Sequence, residues 1–179
     1  IYVNDGTGNF TDEADARGIW FQETYTSPML FDYDNDGDLD LFLTAAYAGS
    51  VSDFYTNDGD GNFLVATYES GVGVTDARGA ATADFDRDGG LDFVAYDAYR
   101  NQANNAGNHW VGFRPLGVDQ ANGSAIGAVV RVTSGAGTAE ERVQLRHASG
   151  GSGSGVQDSP MLHFGLGQDV LVDEVRVIF

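Results

Sequence analysis

Apolar residues in this chain fall in short runs broken by turn residues, and no long stretch repeats at the helical period of 3.6. The runs LFLTAAY (41–47) and LDFVAYDAY (91–99) are apolar nearly throughout, which predicts buried strands. In IYVNDGTGNF (1–10) and FYTNDGDGNF (54–63), Asn-Asp-Gly and a second Gly interrupt aromatic and β-branched residues. These turn positions tolerate positive φ, so both segments predict hairpins whose flanking Tyr and Phe pair across the strands. Further on, HWVGFRPLG, AIGAVVRVTSG, ERVQLRHASG and LVDEVRVIF read as strands spaced by Gly and Ser turns, as in a small sandwich. The expected fold class is all-β.

The pattern repeats. The hairpin signature recurs after 53 residues, and FDYDNDGDLDLF (31–42) recurs after 52 as ADFDRDGGLDFV (83–94). DARGI (15–19) is likewise echoed by DARGA (76–80). One unit of about 52 residues occurs twice behind a leading half unit, a period typical of propeller-type or solenoid arrays. Each unit is expected to run acidic loop, strand, turn, strand. A third copy begins at Tyr99-Arg100-Asn101 but gives way to QANNAGN (102–108), so a boundary is expected near residue 104. It divides the chain into repeats over 1–104 and a β-sandwich over 105–179.

Composition sharpens this division. With 42% hydrophobic and 12% aromatic residues the chain can bury a core, unlike a disordered acidic tail. Residues 1–100 carry 20 acids against 4 Arg, while 101–179 carry 7 against 5, within a net charge of −18. Such a field repels nucleic acid and anionic membranes and favours cations. All nine basic residues are Arg, a bias compatible with a high-salt setting. There is no Cys, hence no disulfide or thiolate metal site, and no run approaches the roughly 18 apolar residues of a membrane span. The chain opens at Ile1 and is expected to be a processed or trimmed product.

Both acidic loops fit D-x-D-x-D-G-x-x-D. The first offers Asp32, Asp34, Asp36 and Asp40, with Asp38 seventh, and the second offers Asp84, Asp86, Asp88 and Asp92, with Gly90 seventh. A backbone carbonyl usually serves at the seventh place, and Gly37 or Gly89 supplies the sharp turn. Calcium takes six to eight hard oxygens and suits this set; magnesium keeps more water and zinc prefers His or Cys. The loops close at position 9 and run into strands, which excludes the EF-hand with its Glu at position 12 and flanking helices. Two Ca2+ ions are expected, one per loop, acting structurally because metal binding becomes folding energy.

At these residues the sequence resembles known families. YxNDGxGxF followed by DxDxDGxxDL is similar to the FG-GAP/VCBS repeats of integrin-α-like β-propellers. NHWVGFRPLG, SAIGAVVRV, GSGVQDSPMLHFGLG and VDEVRVIF resemble an ASPIC/UnbV domain, the module that closes proteins similar to cartilage acidic protein. The resemblance implies calcium in the first part, a β-sandwich in the second and an extracellular or cell-surface location. It also implies a departure: propellers close with about four to eight blades, and only two calcium-loop blades and a half unit are present. The chain is therefore either a fragment of a larger propeller protein or one whose open edges are covered. Exposed edges recruit strands, so the half unit can complete a neighbouring copy's blade, and head-to-tail contacts that do not close give a filament or surface layer.

No catalytic constellation emerges. His109, His147 and His163 lack triad partners, the Ser-rich ASGGSGSG (148–155) lacks a nucleophile elbow, and calcium-bound aspartates stay ionised. The chain is expected not to be an enzyme. A calcium-dependent glycan- or protein-binding module is the rival to the self-assembling structural or adhesive protein. Trp20, Trp110, Tyr25, Tyr47, Tyr55, Tyr68, Tyr96 and Tyr99 offer stacking surfaces, although most are expected in the core. Two sequons, at Asn9 and Asn122, carry no weight unless the protein is secreted.

Overall fold

A computed structural model describes residues 1–102, 107–117 and 122–179 of the protein. The boundary near 104 lies outside the described residues. Their regular structure is antiparallel strand throughout, apart from one 3-10 turn at Asp15–Arg17. The fold is all-β, with propeller-like repeats followed by two small sheets.

The half unit is a hairpin of β1 (Tyr2–Asn4) and β2 (Phe10–Asp12). Asn4 Oδ1 accepts from the amides of Gly6 and Gly8, and Asn57 Oδ1 does the same for Gly59 and Gly61. The repeated Asn-Asp-Gly thus builds one turn twice. The first blade has four strands in sequence order: β3 (Tyr25–Phe31), β4 (Asp40–Ala45), β5 (Asp53–Asn57) and β6 (Phe63–Val65). The second has three: β7 (Ala81–Ala83), β8 (Asp92–Ala95) and β9 (Asp97–Tyr99).

Two differences from the sequence pattern matter. Each acidic loop is preceded as well as followed by a strand, so it is the tip of a hairpin, β3–β4 or β7–β8. LDFVAYDAY is not one strand but two, folded back at Tyr96, whose φ of 67° reverses the chain. Period and apolarity do not reveal that reversal, because a bulky aromatic rarely occupies positive φ.

The blades pack through aromatic side chains that alternate inward. Phe42, fully buried, lies 5.0 Å from Phe93 between ring centroids, and Phe31 lies 5.9 Å from Phe54 and 6.1 Å from Phe93. These are favourable tilted pairs, and they make the two blades one core with Met29, Val74 and Ala80. Ile19, Leu41, Tyr55 and Phe63 form a smaller core beside the 3-10 turn.

The C-terminal part pairs β10 (His109–Phe113) with β13 (Leu162–Gly167). A three-stranded sheet is ordered β12 (Arg142–His147), β11 (Val129–Ser134), β14 (Glu174–Ile178). Val130, Val132, Leu162, Phe164 and Leu166 fill the space between the two sheets. Every residue of β13 is buried, since the strand lies between its own core and the acidic loops.

Candidate metal loops and the surface that closes them

The repeat sequence dictates near-identical backbone in both loops. Asn35 and Arg87 adopt φ of 63° and 64°, and Gly37 and Gly89 adopt 98° and 92°. Asn tolerates the left-handed region better than most residues. The first carboxylate of each loop is folded back onto the turn: Gly37 N donates to Asp32 Oδ2 at 3.0 Å and Gly89 N to Asp84 Oδ2 at 3.1 Å. The last carboxylate ties the loop to the next strand. Asp40 accepts from Asn57 N at 2.9 Å and Tyr33 N at 3.1 Å, and Asp92 accepts from Asn101 N at 2.7 Å and Phe85 N at 2.8 Å.

In the first loop, Asp32, Asp34 and Asp40 each offer an oxygen, and these lie within 4.8 Å of one another. In the second, Asp84, Asp86 and Asp88 do so. Asp36 Oδ1 accepts from Asp38 N at 2.8 Å, and the Asp38 carboxylate faces the Gly59 turn. Gly90 N donates to Asp88 Oδ1 at 2.9 Å. The spacing rule therefore gathers three side chains per loop closely, with Asp36 and Asp38 outside the first group and Asp92 outside the second.

Burial distinguishes the loops. Asp32 is 1% exposed where Asp84 is half-buried, and Asp34 and Asp36 are half-buried where Asp86 and Asp88 are exposed; only the last carboxylates, Asp40 and Asp92, are buried alike. Burial, then the neighbouring Asp36 and Asp34 charges, push Asp32 up to about 7. Burial pushes Asp40 up to about 8 despite its two backbone donors. Burial and Asp36 also raise Asp34 and Asp38. Asp32 Oδ1 and Asn35 Oδ1 are buried without a hydrogen-bond partner among the described residues. A buried, unpartnered carboxylate oxygen beside two more carboxylates is costly unless a cation sits among them. The donor set is all hard oxygen, so the residues present fit calcium.

The second loop has a cation of its own. Arg100 Nε pairs with Asp86, and its Nη2 lies 3.4 Å from Asp88 Oδ2. The Tyr99-Arg100-Asn101 match with Tyr55-Thr56-Asn57 locates Arg100 where the first unit has Thr56. That substitution was visible in the sequence, but its reach to the loop was not.

What closes the first loop comes from the C-terminal sheets. Gly167 N donates to Asn35 O at 2.8 Å, and Asn108 Nδ2 donates to Asp34 O at 3.0 Å. A Cβ on Gly165 would overlap Asp32 Oδ2 and the Asn35 backbone. The two loops also touch: Asn35 Nδ2 donates to Gly89 O at 2.9 Å. The same carbonyl faces His163 Nε2 at 3.1 Å, so Nε2 carries the proton. Trp110 stacks on His163 with ring centroids 5.4 Å apart and covers Gly89, where a Cβ would collide with the indole. His163 is thus a joint between repeat and sandwich, buried and lowered in pKa by that burial.

The aromatic surfaces depart from expectation. Tyr55 is buried, but Trp20, Tyr47, Tyr68, Tyr96 and Trp110 are exposed, Tyr68 and Tyr96 by 81% and 82%. Trp20, Tyr47, Tyr68 and Tyr96 occupy loops and hairpin ends, and Trp110 lies on β10.

A model of the FG-GAP-like repeat matches residues 32–95, which span both acidic loops. A model named ASPIC and UnbV matches residues 118–179, which hold β11 to β14. No curated protein matches the chain. Two loops of one backbone form, followed by the sheets that close them, are thus similar to an FG-GAP-like repeat followed by an ASPIC and UnbV domain.

Proposed function

We propose that this protein is a calcium-stabilised structural or adhesive module of the extracellular space that assembles with copies of itself. The observation that carries the calcium reading is the buried Asp32 carboxylate, with Oδ1 unpartnered and Asp34 and Asp40 oxygens within 4.8 Å. In this reading Asp32, Asp34, Asp36 and Asp40, with a carbonyl at Asp38, hold one ion. Asp84, Asp86, Asp88 and Asp92, with a carbonyl at Gly90, hold a second. The ions offset carboxylate repulsion and so fix the hairpin tips against the C-terminal sheets. The pairing of an FG-GAP-like repeat with an ASPIC and UnbV domain supports a surface or extracellular setting. Among the described residues no helix is long and apolar enough to cross a membrane.

Self-association is supported by open edges. In the repeat β2 matches β6, and the second blade ends at β9 without a described strand at that place. The β1–β2 hairpin exposes Tyr2 and Phe10. A neighbour's hairpin laid along β9 would satisfy both. The reading includes no catalytic role. Light scattering on the chain, titrated from EDTA into millimolar calcium, tests it: calcium-dependent assemblies that dissolve with EDTA support it. A monodisperse monomer throughout removes the assembly.

One observation favours a second reading, a calcium-dependent glycan- or protein-binding module. The exposed Trp20, Tyr47, Tyr68 and Tyr96 are available for stacking. Such a module stays soluble with calcium until its ligand is added, which separates the two.

A further inference from the structure

A cavity of about 340 Å³ lies between the repeats and the C-terminal sheets, behind the first acidic loop. Its size is at the small end of ligand pockets, enough for one sugar-sized molecule. Arg114 and Arg146 both line it. In a chain with 27 acids and 9 Arg, neither forms an ion pair among the described residues. Arg146 is half-buried, gives one bond each to Leu145 O and Gln144 Oε1 at 3.1 Å, and lies over the Phe164 ring. A guanidinium has five donors, so others remain, and the Asp32 carboxylate that faces it in the cavity is not within ion-pair distance.

The remaining wall is mixed. Ser124 and Gln157 make no hydrogen bond among the described residues, while Ile126, Pro160 and Met161 supply an apolar side. Asp158 is satisfied by Thr82 N at 2.7 Å and Thr82 Oγ1 at 3.1 Å. Asp32 reaches the cavity, but its charge belongs to the metal loop.

We propose that this cavity binds an acidic monosaccharide. Its carboxylate lies between Arg114 and Arg146, as the guanidinium fork favours. Its hydroxyls meet Ser124 and Gln157, and one C–H face of the ring rests on Ile126 and Met161. This site goes beyond the calcium and assembly reading and needs no self-association.

Titration calorimetry of the full chain with sodium galacturonate tests it, with galactose and inorganic sulfate as comparisons, in calcium and in EDTA. Galacturonate is expected to saturate the chain, with galactose at least about tenfold weaker because it lacks the charge-assisted bonds. Arg114→Gln, at an exposed position with no described partner, is expected to keep the melting temperature and weaken galacturonate about tenfold. Arg146→Gln should do the same where it folds. Equal binding of galactose, an unaffected Arg114→Gln variant, or no heat with galacturonate overturns the proposal. Sulfate binding as tightly as galacturonate overturns the sugar assignment. Melting curves on the same samples keep the two readings apart: galacturonate binding without any calcium response would remove the metal and leave this site standing.

Discussion

The metal-free protein should lose stability as pH rises, and calcium should abolish that loss. Asp32 and Asp40 have folded values of about 7 and about 8 against an ordinary 3.8. For an acid raised on folding, the protonated form is the one the fold favours. Its stabilising effect is complete below 3.8 and disappears as pH rises through 7 and 8. Each pH unit is worth about 1.4 kcal/mol per group, so between pH 5 and 8 Asp32 alone removes ~3 kcal/mol. Asp40 adds to this, though by less than a full independent share because the two carboxylates interact. At 2–4 °C per kcal/mol for a chain of about this size, the melting temperature in EDTA should fall by roughly 6–12 °C from pH 5 to 8. In millimolar calcium the ion holds both groups ionised, the profile flattens, and the gain from calcium grows with pH. Asp32→Asn supplies an internal control. At pH 8 in EDTA it should melt higher than the parent, and it should lose most of the calcium gain. Calorimetric melting at four pH values, with and without calcium, reads all of this. A melting temperature in EDTA that is flat or rises with pH refutes the reasoning, as does an Asp32→Asn variant that melts lower than the parent at pH 8.

Three further outcomes follow from packing. Gly165→Ala drives a methyl into Asp32 and the Asn35 backbone, so calcium affinity should drop by about 5- to 150-fold in dialysis, the equivalent of the roughly 1–3 kcal/mol typical of overpacking. Phe42→Ala empties the centre between the blades and should cost about 3–5 kcal/mol in urea unfolding at saturating calcium. Arg100→Ala removes the guanidinium beside Asp86 and Asp88; exposed pairs are weak and screened by salt, so calcium at the second loop should tighten by up to about fivefold in calorimetry.

The loops were legible in the sequence because their geometry is local: alternate aspartates and one glycine specify the turn within nine residues. The Asn-Asp-Gly hairpins were legible for the same reason. The strands ahead of the loops were not. β7 is only Ala-Thr-Ala, and β3 carries Pro28, which suits it as the edge of its sheet but breaks the strand signal. The joint was also hidden, since Gly165, Gly167, His163 and Trp110 meet the loops across long separations that no period encodes. Their reason for being Gly or His lies in the partner surface. The inequality of the loops arises the same way: two matching motifs differ in burial because β13 covers one, and in charge because Arg100 reaches the other.

Calcium binding to the EDTA-stripped chain, by equilibrium dialysis, tests the central claim most directly. The account predicts about two ions per chain with Kd of roughly 0.1–1 mM, as for extracellular calcium modules, and one ion fewer in Asp32→Asn. No binding at millimolar calcium, or an unchanged number in Asp32→Asn, would contradict it.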